Sequence, residues 1–179
     1  MKYADTHLEI IEGCKRGNRQ AQSKLYHLYS QAMYNICLRM VKHPSDAEDL
    51  LQNSFVDVFT KLDSFKQESS VGAWIKRVVI NNCINFLKKR RLQLEEFQDH
   101  YTDTLADTRE EVPDNSLNVH NINTALQELP DGYRVVFTLY LFEGYDHREI
   151  AEILNISEAT SKSQYSRAKK KLKGILGTS

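Results

Sequence analysis

Hydrophobic residues recur at intervals of three and four along most of the chain, which is the spacing of one face of a helix. Three long stripes of this kind precede residue 92, and four shorter ones follow residue 120. The 179 residues include only seven glycines and three prolines, too few for a chain of many short strands and turns. The pattern therefore predicts an all-α protein.

The first half of the chain predicts three long helices. Their apolar stripes cover residues 25–40 and 47–62, and the third helix runs from about Ala73 to Arg91. A proline separates the first two, and Ser45 or Asp46 is the expected N-cap of the second. The inward face of the first helix is expected to carry Leu25, Leu28, Tyr29, Ala32, Ile36 and Met40.

The last forty residues predict a helix-turn-helix. Asp146 and Glu149 have the spacing of a capping box before a short apolar helix. Asn155 follows, a residue type that tolerates a left-handed turn, and Ser157 is the expected cap of a helix from about Glu158 to Leu172. A helix ending at Gly144 precedes this motif, and its expected inward residues are Tyr133, Val136, Phe137, Tyr140 and Leu141.

Charge divides the chain more sharply than its zero total suggests. Residues 1–92 carry net +6, residues 93–120 carry −7, and residues 121–179 carry +1, within which residues 155–179 carry +5. The acidic segment loses the helical periodicity and has the composition of a flexible linker. We predict two small helical domains, 1–92 and 121–179, joined by a flexible acidic linker, 93–120. Both domains have basic segments suited to nucleic acid.

Catalytic and cofactor motifs are not indicated. The sequence has no zinc-ligand spacing, phosphate-binding loop, dinucleotide fingerprint or nucleophile elbow. Its three cysteines are an odd number and lie far apart, which predicts reduced thiols. No apolar run has the length of a signal peptide or a membrane span. We expect a cytoplasmic protein that is not an enzyme, does not insert into a membrane, and uses no metal and no cofactor.

Polar residues cluster on one side of the second predicted helix. Such a cluster is either a solvated helix face or a docking surface for a basic protein, which acidic residues would steer and orient. A metal-dependent nuclease using Asp46, Glu48 and Asp49 is a weaker alternative, because no histidine joins them. The clustered residues are Asp46, Glu48, Asp49, Gln52, Asn53 and Asp57.

The third predicted helix has the features of a nucleic-acid surface. Asn81, Asn82 and Asn85 are poor helix formers in a helix middle, which indicates that a polar surface is needed there. Phe65 and Trp74 nearby are either core residues or platforms on which unpaired bases stack. The candidate residues of this surface are Phe65, Lys76, Arg77, Asn81 and Asn85.

The last predicted helix carries a polar face opposite Tyr165, Ala168 and Leu172. Its donors suit phosphates and the base edges of a DNA major groove. A solvated lysine-rich helix is the alternative. The candidate DNA-binding residues are Lys162, Ser163, Ser166, Arg167 and Lys170.

Three segments together resemble the extracytoplasmic-function group of bacterial RNA polymerase sigma factors. They are DAEDLLQNSFVDVFTKLDSF (residues 46–65), WIKRVVINNCINFLKKRR (residues 74–91) and LPDGYRVVFTLYLFEGYDHREIAEILNISEATSKSQYSRAKKKL (residues 129–172). Such factors keep sigma domains 2 and 4, joined by a linker, which fits the order of segments here. The chain departs from the family's usual residues at Asn53, Asn155, Ser161 and Gln164.

The resemblance implies a role for each surface. The acidic helix would dock on the coiled coil of the largest subunit of core RNA polymerase through Asp46, Asp49, Gln52 and Asn53, which stand at the matching positions. The third helix would melt and hold the −10 promoter element, with the loop 65–72 capturing an extruded base, and the last helix would read the −35 element. An anti-sigma factor that masks the polymerase-binding faces is also implied. The alternative from a different class is a helix-turn-helix transcriptional regulator that binds DNA without polymerase.

Overall fold

The structure, a computed structural model, describes residues 7–97 and 119–177. All regular structure in these two ranges is helical, without strands, as the hydrophobic spacing predicts. A 3₁₀ turn (Leu62–Ser64) follows α3, and a π-helical turn (Thr138–Phe142) follows α6. The α-helices are α1 (Leu8–Lys15), α2 (Arg19–Val41), α3 (Pro44–Lys61), α4 (Val71–Phe97), α5 (Val119–Gln127), α6 (Asp131–Phe137), α7 (His147–Leu154) and α8 (Glu158–Gly177).

The chain divides into two compact units, residues 1–86 and 87–179. Helix α4 crosses this division, whereas the sequence predicts the end of the first domain at residue 92. Both ends of the predicted linker are helical, because α4 extends to Phe97 and α5 begins at Val119. The rest of the predicted linker, residues 98–118, lies outside the described residues.

The first unit begins with a helix that the hydrophobic spacing does not predict. Helix α1 is short, packs on α2 and buries Ile11 and Cys14. Asn18 then caps α2, because its side-chain oxygen accepts hydrogen bonds from the backbone N–H groups of Gln20 (2.9 Å) and Ala21 (3.2 Å).

The buried face of α2 differs from the predicted one. Leu28 is 51% exposed and Ala32 is also exposed, while Met33, Cys37 and Val41 are buried. Helix α2 packs against both α1 and α3. A helix with two neighbours buries a wider or differently placed arc than a single amphipathic stripe, so periodicity alone misplaces its core face.

The start of α3 also differs from the prediction. The helix begins at Pro44 rather than after a Ser45 or Asp46 cap, and its N-cap residue, His43, makes no side-chain capping bond. Proline is well suited to this position, because its fixed φ is helical and its missing N–H would have no partner in the first turn.

The second unit is built around one apolar core from α5, α6 and α8. Its most buried members are Ala125, Leu126, Leu129, Phe137, Ala168 and Leu172. The sequence does not predict that Arg134 is buried beside this core, at 1% exposure. Its guanidinium donates to the Leu129 carbonyl (2.9 Å) and to Asp131 Oδ1 (2.7 Å), so the buried charge is neutralised locally.

Two predicted core residues of the second unit are on its surface. Tyr140 is 37% exposed and Leu141 is 53% exposed. Both lie in the π-helical turn, which has more residues per turn than an α-helix and so shifts the faces that periodicity predicts.

The helix-turn-helix forms as predicted. Asp146 and Glu149 make both hydrogen bonds of a capping box, each 2.8 Å long. Asn155 adopts the left-handed conformation (φ 56°, ψ 50°), and the Ser157 hydroxyl accepts from the backbone N–H of Thr160 (3.0 Å). Helix α8 continues to Gly177, beyond the predicted end at Leu172.

Candidate nucleic-acid and protein interfaces

Helix α3 separates a buried face from a polar one, here called the α3 face. Its exposed members Asp49, Gln52 and Asn53 share one side of the helix, and Asp46 is half-buried one turn earlier. The sequence does not predict that Val56 joins them, at 64% exposure.

Helix α4 carries a row of exposed polar residues, here called the α4 face. Arg77, Asn81 and Asn85 recur every four residues and are all exposed, while Lys76 is half-buried. Their spacing places the guanidinium and the two amides along one side of the helix. Such a row can contact successive phosphates or bases of a single strand.

Phe65 is not part of the exposed α4 face. Its side chain is 4% exposed, and its ring centroid lies 5.5 Å from that of Trp74. Of the two predicted alternatives for this residue, the structure supports core packing. A ring buried in this way presents no free face on which a base could stack.

Asn82 faces inward, unlike its neighbours Asn81 and Asn85. Its Nδ2 donates to Ser54 Oγ (3.1 Å) and to Asp57 Oδ2 (3.0 Å), both on α3. The hydrogen bond from Asn82 lowers the pKa of Asp57, and Lys61, whose Nζ lies 3.2 Å from Oδ1, lowers that pKa further.

Helix α8 presents all five predicted DNA-binding residues to solvent, and they form what is here called the α8 face. Lys162 Nζ pairs with Glu158 Oε1 at 2.6 Å, and Ser163 Oγ donates to the Thr160 carbonyl at 3.0 Å. The lysine partner lowers the pKa of Glu158. The exposed residues of the face are Lys162, Ser163, Ser166, Arg167 and Lys170.

Arg167 could in principle fold back onto α7 and tie the two helices of the motif together. Glu152, the acidic residue that would receive it, instead lies 3.8 Å from Arg148 on its own helix. The Arg167 side chain is exposed on α8.

Two departures from the usual family residues lie away from the α8 face. Ser161 is fully buried, and its hydroxyl is 2.9 Å from His147 Nδ1. The His147 ring in turn stacks on Tyr140, with centroids 4.5 Å apart. Gln164 is half-buried beside α6, where a Cβ added to Gly132 would be 3.4 Å from its Oε1. The Ser161 side chain therefore contacts α7, and that of Gln164 lies toward α6.

The described residues contain no group of three or more histidine, cysteine or acidic residues that could hold a metal ion. The three cysteines are free and buried, and burial raises the pKa of Cys14. Cys83 donates to Cys37 Sγ at 3.8 Å, and this contact together with burial raises the pKa of Cys83. No helix in these ranges is both long and apolar enough to cross a membrane.

Comparison with known families identifies both units. Residues 25–93 match Sigma-70 region 2, and residues 120–172 match Sigma-70 region 4. The ECF RNA polymerase sigma factor SigM of Bacillus subtilis is 31% identical over 153 residues, covering 85% of this chain and 93% of that protein. SigW of the same organism is 27% identical over 175 residues, covering 91% and 92%.

Solved structures share the fold. The sigma factor RpoE in complex with the anti-sigma factor NepR from Bartonella quintana has a TM-score of 0.58 at 23% identity, covering 86% of this chain and 95% of that one. CnrH in complex with the cytosolic domain of CnrY has a TM-score of 0.54 at 21% identity, covering 93% and 94%.

Proposed function

Because this chain belongs to the extracytoplasmic-function (ECF) group of RNA polymerase sigma factors, we propose a role for each of its three exposed polar faces. The protein is a transcription initiation factor that directs core RNA polymerase to specific promoters. The α3 face binds core polymerase, the α4 face holds the melted −10 element, and the α8 face reads the −35 element.

Charge and exposure support the polymerase-binding role of the α3 face. Asp46 and Asp49 supply negative charge that steers a basic partner, and Gln52 and Asn53 supply hydrogen-bonding groups without a net charge. Val56 gives the same face an apolar centre. Asn53 replaces the acidic residue usual in the family, so this contact is a hydrogen bond rather than an ion pair.

The α4 face suits unpaired DNA better than a duplex. Its amides can donate to and accept from the base edges that strand separation exposes. Arg77 contributes attraction to the phosphate backbone, with Lys76 beside it. Since Phe65 is buried against Trp74, the capture of an extruded base depends on other residues of the loop 65–72 or on movement of this ring.

The α8 face suits a duplex major groove. Arg167 can form a bidentate pair with guanine O6 and N7, and Lys170 can contact phosphate. Lys162 must exchange its bond with Glu158 for a phosphate contact. Glu158 must also turn away from the DNA, because without Lys162 its carboxylate would repel the phosphates.

The protein makes and breaks no covalent bond itself; binding energy from polymerase and duplex contacts opens the DNA. It acts in the cytoplasm, where polymerase and promoters are. An anti-sigma factor covers its polymerase-binding surface until a signal releases it, as the NepR and CnrY complexes of the fold relatives suggest.

The observation that carries this proposal is the presence, in one chain, of a region 2 match and a region 4 match, each with an exposed basic helix face. The test is transcription by core polymerase from a library of templates randomised at both promoter elements. We expect the complete chain to select templates with one −35 and one −10 sequence. Binding of DNA as a dimer at symmetric sites, with no stimulation of polymerase, would instead identify a polymerase-independent regulator.

Asp49→Ala tests the α3 face in a binding assay with core polymerase. We expect the affinity to fall by about fivefold, the upper end of the range for one exposed charge contact, with unchanged helix content by circular dichroism. Glu48→Ala is the matched control, because Glu48 is equally exposed on α3 but is not assigned to the interface. Equal affinity of Asp49→Ala and the unmodified protein for core polymerase would remove Asp49 from this interface.

A further inference from the structure

The side-chain amide of Asn82 links α3 and α4 by hydrogen bonds. In the proposed function, α3 binds core polymerase and α4 binds the −10 element. The amide donates from α4 to Ser54 Oγ at 3.1 Å and to Asp57 Oδ2 at 3.0 Å on α3. Ser54 is fully buried, so water cannot replace its hydrogen bond to Asn82 without opening the packing between the helices, whereas the Asp57 carboxylate is partly exposed.

Both hydrogens of the Asn82 amide are used in these contacts. A primary amide has two N–H groups on one nitrogen, and here one meets a hydroxyl and the other a carboxylate. Bonds to an ionised carboxylate are about twice as strong as neutral ones. Lys61 bonds the other oxygen of Asp57, at 3.2 Å, which holds the carboxylate in place from the opposite side.

The contact lies directly beside both exposed faces. Ser54 follows Asn53 of the α3 face, while Asn82 follows Asn81 and precedes Asn85 of the α4 face by three positions. Successive residues on a helix point about 100° apart, so turning Asn82 toward α3 fixes the direction in which Asn81 and Asn85 point.

We propose that Asn82 is a positioning residue for promoter opening. Its amide fixes the rotation of α4 on α3, so that the −10 face is held at one orientation relative to the polymerase-binding face. This inference rests on the proposed function of the two faces. It assigns to Asn82 no contact with DNA or with polymerase.

Asn82→Asp is the main test, because it keeps the size of the side chain while replacing both N–H donors with oxygen. The new carboxylate faces Asp57, and like charges in contact repel. We expect promoter opening, followed by permanganate reactivity of −10 thymines, to fall about tenfold or more, as for a lost bond to a charged group. Affinity for core polymerase should change far less. The unfolding midpoint read by Trp74, the single tryptophan, should fall only modestly, so that the first unit stays folded under the conditions of the opening assay.

Two further readouts separate positioning from folding. Asn82→Ala removes the contact without adding a charge, and we expect a smaller loss of opening, about threefold. On a template whose −10 region is already mismatched and open, both variants should regain most of their activity, since strand separation no longer depends on the orientation of α4.

A second substitution that restores the hydrogen bond gives the most specific test. When Asp57→Asn is added to Asn82→Asp, the amide at position 57 can donate to the carboxylate at position 82, so the direction of the bond is reversed. We expect the double variant to recover opening to within about threefold of the unmodified protein, although Asp57→Asn alone, which also loses the pair with Lys61, is mildly defective.

Three results would overturn the proposal. They are normal opening by Asn82→Asp, a parallel loss of polymerase affinity and of the Trp74 unfolding midpoint, and a double variant no better than Asn82→Asp. The unmodified chain provides the separate check on function: if it directs no promoter-specific transcription, the proposed roles of the two faces fail together with the inference. If it does and Asn82→Asp matches it, only the inference fails.

Discussion

The two units position their nucleic-acid faces by different means. In the second unit, the turn of the helix-turn-helix has hydrogen bonds between residues three positions apart, namely the Asp146–Glu149 capping box and the bond that the Thr160 N–H donates to Ser157 Oγ. A longer-range contact, from Ser161 to His147, supplements them. In the first unit, the direction of the α4 face depends on bonds from Asn82 to residues 28 and 25 positions away.

This difference has a consequence for robustness. Several short-range caps each contribute about 1 kcal/mol, so the loss of one leaves the turn supported by the others. The hydrogen bonds of Asn82 join two elements that are distant in sequence, and no adjacent cap of this kind duplicates them among the hydrogen bonds described here. We therefore expect single substitutions to disturb the first unit more selectively than the second.

The largest expected effect is on the stability of the first unit. Phe65→Ala should lower its free energy of unfolding by about 3–5 kcal/mol, because it leaves a cavity next to Trp74. Trp74 fluorescence during urea unfolding measures this unit alone. Phe65→Leu is the control and should cost less than about 1.5 kcal/mol. A transcription defect in Phe65→Ala without any change in the Trp74 midpoint would support a base-stacking role instead.

A smaller but more specific effect is expected on the α8 face. Arg167→Ala should cost about 1–3 kcal/mol of discrimination at one −35 position, the range of a bidentate contact to guanine. Lys170→Ala should weaken binding to all promoters alike. It should also reduce the slope of the logarithm of the binding constant against the logarithm of salt concentration by about one. Binding of both variants to single-base −35 substitutions distinguishes the two roles. A uniform loss for Arg167→Ala would class it with the phosphate contacts.

Substitutions on the α4 face should affect promoter opening rather than the recognition of duplex DNA. Asn81→Ala or Asn85→Ala should impair promoter opening more than duplex binding, because the partners of these two amides are unpaired bases. Alanine is the better helix former by up to about 0.7 kcal/mol, so lost stability is not the expected cause. Permanganate reactivity of the −10 thymines is the measurement. Thymines as reactive as with the unmodified protein would exclude these amides from strand capture.

The smallest expected effect concerns pH and the contact between α3 and α4. The pKa of Asp57 is lowered in the folded protein, first by Asn82 and then by Lys61. A carboxyl with a lowered pKa stabilises the fold above its unfolded pKa, about 3.9, and loses that contribution as pH falls through its folded value. The Trp74 unfolding midpoint of the unmodified protein should therefore exceed that of Asp57→Asn above about pH 5, and the two should converge in stronger acid. A constant difference at every pH would mean that ionisation of Asp57 is not involved.

Most of the second unit can be predicted from the sequence because its signals are local. A capping box, an asparagine in a left-handed turn and a serine cap each depend on a few adjacent residues, and all three form as expected. The predicted DNA-binding residues of α8 are exposed for the same reason. Periodicity fails at Tyr140 and Leu141, where a π-helical turn changes the number of residues per turn.

What the sequence by itself determined is therefore the helical class, the division into two basic segments and the local geometry of the helix-turn-helix. Tertiary structure alone decided that Phe65 is buried, that Leu28 is exposed, and that Asn82 turns inward while Asn81 and Asn85 remain outside. Those outcomes depend on which helix packs on which. Hydrophobic spacing describes one helix at a time, whereas burial and long-range hydrogen bonds require the positions of two.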